Sequence, residues 1–245
     1  MLILGLDWNR ERSHRLYQPN LLFRQYVYGT KNNMLIKLNG DKIARFLLLF
    51  GVFAPITMMV IIIVVGQITP DYNPISDTIS QLGASNKPNS LVINTGFVIY
   101  GALIGGAAYG FYRRLRYVPL AKILAILLSI HGIGGILLGI FPDSPITPDT
   151  HFTDDMLHNT LSGISYSALL VGILIFSRIA RQEKALKVAA ILGLAVLILN
   201  LPLPVITVFD PFKPISGLLQ RLFIASSFLW LVLTSLLLYK NHHND

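Results

Sequence analysis

Six stretches of the chain contain no Lys, Arg, Asp or Glu: Phe46–Gly66, Leu91–Phe111, Ile123–Phe141, Met156–Ser177, Val188–Phe209 and Leu222–Tyr239. Each is about 20 residues, which as a helix rises roughly 30 Å, the hydrocarbon thickness of a bilayer. None alternates apolar with polar at period two, as a barrel strand would, and in lipid only a helix or a closed barrel satisfies its own backbone. A soluble chain of 245 residues has no core large enough to hide six such helices. The pattern predicts an all-α polytopic membrane protein, a bundle of six transmembrane helices with spans near 46–66, 91–111, 121–141, 156–177, 187–208 and 217–239. An N-terminal extension, 1–42, precedes the bundle and a short tail, 241–245, follows it.

Charge gives the bundle a direction. Of the 20 Lys and Arg residues, eight precede Phe46, four lie between the second and third spans, four lie between the fourth and fifth, and Lys240 closes the sixth. The opposite loops hold only Lys87, Lys213 and Arg221, together with seven of the 12 acids: Asp71, Asp77, Asp143, Asp149, Asp154, Asp155 and Asp210. The positive-inside rule therefore places both termini in the cytoplasm and three acidic loops outside, in a cell membrane. Such placement explains the net charge of +8 by insertion, so membrane lipids rather than nucleic acid are the expected partners. With no cysteine there is no disulfide, thiolate metal site or cysteine nucleophile. Met1–Leu6 is too short an apolar run for a signal peptide, and Met34, just before the basic flank of the first span, is an alternative start.

Small residues predict where the helices approach. Gly101/Gly105, Gly106/Gly110 and the group Gly132, Gly134, Gly135 and Gly139 have the spacing that lets helix backbones touch in lipid. Pro55, Pro202 and Pro204 each remove a backbone donor, which predicts kinks or unwinding there. Asn94 and Asn200 are expected to bond between helices, and His131, in the third span, to be a packed, hydrogen-bonded side chain.

Candidate chemistry lies where polar residues run against the apolar trend. In the loop 69–90, Ile75, Ile79 and Leu82 recur at helical spacing, predicting a short amphipathic helix stopped by Gly83; it either caps the surface or roofs a pocket with Ser76, Asp77 and Ser80. At the start of the fourth span His151, Asp154, Asp155, His158, Ser162 and Ser165 share one helix face, a polar stripe that must meet protein or water. Asp154 and His158, four apart, are placed to share a proton or, with His151, a divalent metal such as Zn. A helix start with Thr153 as N-cap accounts equally for Asp154 and Asp155 without any function. Arg221, at the outer start of the sixth span, is expected to pair with an acid such as Asp77 or Asp143.

The segment D-Y-N-P-I-S-D-T-I-S-Q-L-G-A-S at 71–85, G-I-F-P-D at 139–143, the H-N pair at 158–159 and G-L-L-Q-R at 217–221 together resemble the integral membrane family catalogued as domain of unknown function 998. The resemblance covers about 43–239 and implies a six-helix bundle without an assigned activity. Members of that family often carry two histidines four apart at the fourth-span start; Asp154 stands at the first position here, which weakens a two-histidine metal site. Two functions follow from the residues. One is a non-enzymatic protein, for transport, lipid binding or sensing, whose outer pocket of Ser76, Asp77, Ser80, Asp143, Asp154, His158, Ser162 and Arg221 takes a lipid headgroup, a small solute or an ion. The other is a metal-dependent intramembrane hydrolase or transferase acting on a lipid at the outer interface.

Overall fold

The computed structural model describes residues 42–144, 155–181, 183–201 and 210–240. The helices are α1 (Lys42–Ile68), α2 (Ile79–Leu82), α3 (Ser90–Leu115), α4 (Ala121–Ile140), α5 (Met156–Ala180), α6 (Lys187–Asn200) and α7 (Ser216–Lys240), with 3-10 turns at Lys184–Leu186 and Asp210–Ile215. Among the described residues there is no strand. Five helices, α1, α3, α4, α5 and the one ending at Lys240, are long and apolar enough to cross a membrane. The fifth expected span is described only over the 14 residues of α6, which ends at Asn200, two residues before Pro202.

Each long helix packs on the next, from α1 through α3, α4, α5 and α6, and α7 returns against both α6 and α1 to close the ring. Inside the ring, aromatic side chains meet edge to face: Phe176 lies 6.3 Å from Phe111 and 5.6 Å from Trp230, all three fully buried. Outside it, Phe53, Ile63, Val188 and Ile198 stand exposed, Ile198 to 78%. Apolar residues buried inward and bare outward are what a lipid solvent demands and water forbids.

The glycines act as their spacing predicts. A methyl group on Gly132 of α4 would lie 2.7 Å from the Gly101 carbonyl oxygen of α3, and one on Gly101 would lie 2.6 Å from the Ile136 nitrogen. Both contacts are backbone, so no side-chain rotation relieves them. Gly105 faces open space and contributes only its backbone. Pro55 sits inside α1 without ending it, while Pro202 and Pro204 lie outside the described residues. Asn200 bonds as expected, donating to Val196 O at 2.7 Å within its helix and to Ser226 Oγ of α7 at 2.9 Å. Asn94 ties α3 to a loop instead, donating to Gly83 O at 2.9 Å.

The 69–90 loop departs from expectation. The surface helix is one turn, α2, because the residues before it are committed to turns: the Asp77 carboxylate accepts the Asn73 amide at 2.8 Å and the Ser76 hydroxyl at 2.9 Å. Asp71 supports the reversal with φ 53°, a left-handed conformation that aspartate tolerates. Ile79 and Leu82 are buried and Ile75 is half exposed, so the apolar face survives only over that single turn. Gly83 does cap it, donating to Ser80 O at 2.8 Å.

Candidate functional site

The 71–79 segment docks on the start of α7 through its backbone. The Leu218 amide donates to Ile75 O at 2.9 Å, Ser216 Oγ donates to Ser76 O at 2.7 Å, and the Ile79 amide donates to Gln220 Oε1 at 2.6 Å. Gly217 makes this approach possible, since a methyl there would overlap the Asp77 carbonyl oxygen and lie 2.9 Å from Pro74 O. Arg221 completes the clasp: Nη1 donates to Pro74 O at 2.7 Å, Asp77 O at 3.0 Å and Gly217 O at 3.0 Å, while Nη2 meets the Tyr72 hydroxyl. That hydroxyl donates onward to Thr78 O at 3.0 Å. Burial lifts the Tyr72 phenol above its ordinary range, against the opposing pull of Arg221, so it stays a neutral donor.

This corrects one expectation. Arg221 does meet the loop of Asp77, but through carbonyl oxygens and not through a carboxylate; the Asp77 carboxylate serves its own turn. A guanidinium has five donors in a planar fork, and the ends of a turn and a helix offer several carbonyls within its reach without burying a second charge. Arg221 is thus used up in holding the loop to α7, and the Ser76 and Asp77 side chains in shaping the loop itself.

Ser80 and His158 form a different kind of contact. His158 is 6% exposed on the first turn of α5, with Nε2 at 3.1 Å from Ser80 Oγ of α2 and Nδ1 at 2.9 Å from the Phe141 carbonyl oxygen at the end of α4. Because a carbonyl only accepts, Nδ1 carries a proton, and in the neutral ring the lone pair of Nε2 accepts from the serine hydroxyl. Asp143 and Asp155 meet at Ser144, both their carboxylates accepting from its amide, at 3.1 and 3.0 Å. Desolvation raises the Asp143 pKa above the ordinary carboxylate range; the His158 charge opposes that and Asp155 reinforces it. Asp155 occupies the N-cap position of α5 without a side-chain cap bond, and its carboxylate accepts from the Ser144 amide instead.

Below this point the polar stripe continues into the bundle as predicted. Ser162 is half-buried, and Ser165 is buried against His131, whose Nδ1 lies 3.0 Å from Ser165 Oγ and whose Nε2 lies 2.8 Å from the Tyr100 hydroxyl. His131 is therefore a packed, fully bonded histidine. Tyr100, His131, Ser165, Tyr166, Ile224 and Phe228 border a cavity of about 20 Å³, room for one water.

His151 and Asp154 lie outside the described residues. Among the described residues no three His, Asp or Glu gather to hold a metal, and His158 would have to release Phe141 or Ser80 before it could ligate one. The residue pattern missed Tyr72, Gln220 and Tyr100, aromatic or amide side chains that read as ordinary interface and core positions. It also missed Ser177, Ser227, Thr234, Ser235 and Trp230 Nε1, buried polar groups with no hydrogen-bond partner among the described residues, because isolated hydroxyls in apolar runs carry no pattern.

The signature segments quoted from the sequence therefore meet in space: 71–85 clasps 217–221, while Phe141 and Ser80 meet at His158, close enough to Asp143 for its carboxyl to feel the ring. No curated protein and no solved structure matches the chain. A family model does match, over residues 52–237, and the chain accordingly belongs to the protein family of unknown function DUF998.

Proposed function

We propose that the chain crosses a cell membrane six times, with both termini cytoplasmic, and that the Ser80–His158–Asp143 cluster at its outer face binds the polar part of a lipid or small solute. The bias of Lys and Arg toward alternate loops supports the topology. The convergence of Ser80, Asp143 and His158 from three separate elements on one partly exposed point supports the site. Intramembrane polar groups that are not consumed by the fold mark binding paths more often than they mark packing.

The topology is tested by single cysteines, which the cysteine-free chain allows. An impermeant maleimide added to intact cells should label Ser85→Cys and spare Tyr117→Cys, both exposed loop positions. The reverse pattern inverts the protein. For the site, native mass spectrometry of protein released from nanodiscs of mixed phosphatidylglycerol and phosphatidylethanolamine should show lipid retained by the wild type and lost several-fold in His158→Ala. Equal retention by both proteins rejects the site.

A further inference from the structure

We propose that Ser80 is a nucleophile and His158 its general base, acting on a carboxylic ester that carries a hydrocarbon chain. The inference rests on the proposed binding site and assigns it a chemistry. A serine becomes nucleophilic when a neighbouring base can take its proton, and the base must be held in the tautomer that leaves its lone pair on the serine. Here the Phe141 carbonyl, 2.9 Å from Nδ1, fixes that tautomer, and Nε2 stands 3.1 Å from Ser80 Oγ. The role that a carboxylate plays in a triad falls to the end of a helix. Phe141 caps the 20 residues of α4, and the negative end of the helix dipole favours the imidazolium that forms when the proton is taken. The carboxyl of Asp143 is close enough to the same ring to feel its charge.

Two further observations separate the pair from a packing contact. Its hydrogen bond is not the one that ties α2 to α7, which is made by Gln220 Oε1 accepting from the Ile79 amide, with Leu218 and Ser216 bonded to the segment just before it. And the exposure is divided as a reaction requires: the base is buried while Ser80 remains half-buried and reachable. Phe141, Met156 and Leu157 stand exposed along the neighbouring helix ends, an apolar surface suited to an acyl chain lying at the interface.

In the reaction, Ser80 Oγ bonds to the ester carbonyl carbon as its proton passes to His158 Nε2. Collapse of the tetrahedral species breaks the bond to the alkoxide, which leaves as an alcohol with the proton from His158. Water then attacks the acyl group on Ser80, gives a proton to His158, and releases the carboxylic acid as that proton returns to Ser80 Oγ. Water is the only co-reactant.

The test is a fluorophosphonate probe, which phosphonylates activated serines, applied to the purified full-length protein in detergent micelles. Mass spectrometry should place one adduct on Ser80. Labelling should vanish in Ser80→Ala and slow by about 100-fold in His158→Gln, the usual scale for removing a general base, with both variants unfolding near the wild-type temperature. Folded wild-type protein without an adduct on Ser80 overturns the proposal whatever the variants do, as does His158→Gln labelled at the wild-type rate. Wild type that retains lipid but takes no probe rejects the nucleophile alone; loss of lipid retention with labelling intact rejects the binding reading alone.

Discussion

Two polar clusters sit at the same end of the bundle, and they are built differently. Around Arg221 every acceptor is a backbone carbonyl or the Tyr72 hydroxyl, and the loop closes onto α7 through three further bonds from Ile75, Ser76 and Ile79. Around His158 the partners are a serine hydroxyl and one helix-end carbonyl, with the Asp143 carboxyl close enough to feel the ring. The first consumes charge to fix a loop. The second sets a buried imidazole against a half-buried serine hydroxyl. Residue type alone does not separate these cases, since both mix Ser, Asp and a base; what separates them is that Arg221 gathers three main-chain carbonyls while His158 meets one carbonyl and a serine hydroxyl.

The contrast yields graded expectations for stability. Arg221→Lys should lower stability most, by about 3 kcal/mol, because a single ammonium cannot reach Pro74 O, Asp77 O and Tyr72 together; thermal unfolding in detergent measures it. Gly217→Ala should follow at about 2 kcal/mol, the scale of an overpacked contact, since the methyl meets the Asp77 backbone. Retention of the wild-type midpoint in that variant would show that the loop does not sit tightly on α7. Tyr72→Phe removes a hydroxyl that both accepts from Arg221 and donates to Thr78 O, and should lose about 1 kcal/mol.

The smallest effect belongs to the other cluster and depends on pH. With the Asp143 pKa raised, its protonated form favours the folded state; that contribution is complete below the unfolded carboxylate pKa of about 3.9 and is lost as pH rises through the folded value. Asp143→Asn, fixed in the neutral form, should therefore gain on the wild type as pH rises from about 4 toward 7. Parallel unfolding midpoints across that range would contradict the burial of Asp143.

Much of this architecture was legible in the residues, for physical reasons. Uncharged runs of bilayer length report α1, α3, α4, α5 and α7 because lipid leaves them no alternative. Gly101 and Gly132 at small-residue spacing report a close crossing that the backbone contacts bear out. The stripe through His158 and Ser165 faced protein because the membrane penalises any other direction. Partners were less legible. Arg221 was expected beside an acid, and the charge count favoured that, but local turn geometry offered carbonyls first. The helix predicted in the 69–90 loop shrank to one turn because Asp77 spends its carboxylate on Asn73 and Ser76, a competition invisible to apolar periodicity.

The central claim is that the Arg221 cluster holds the fold and the Ser80–His158 pair does not. It is tested most directly by the thermal unfolding midpoints of Arg221→Ala and Ser80→Ala, measured side by side in the same detergent. The account predicts a large drop for Arg221→Ala and a midpoint close to the wild type for Ser80→Ala. Equal drops for the two variants, or a larger one for Ser80→Ala, would contradict it.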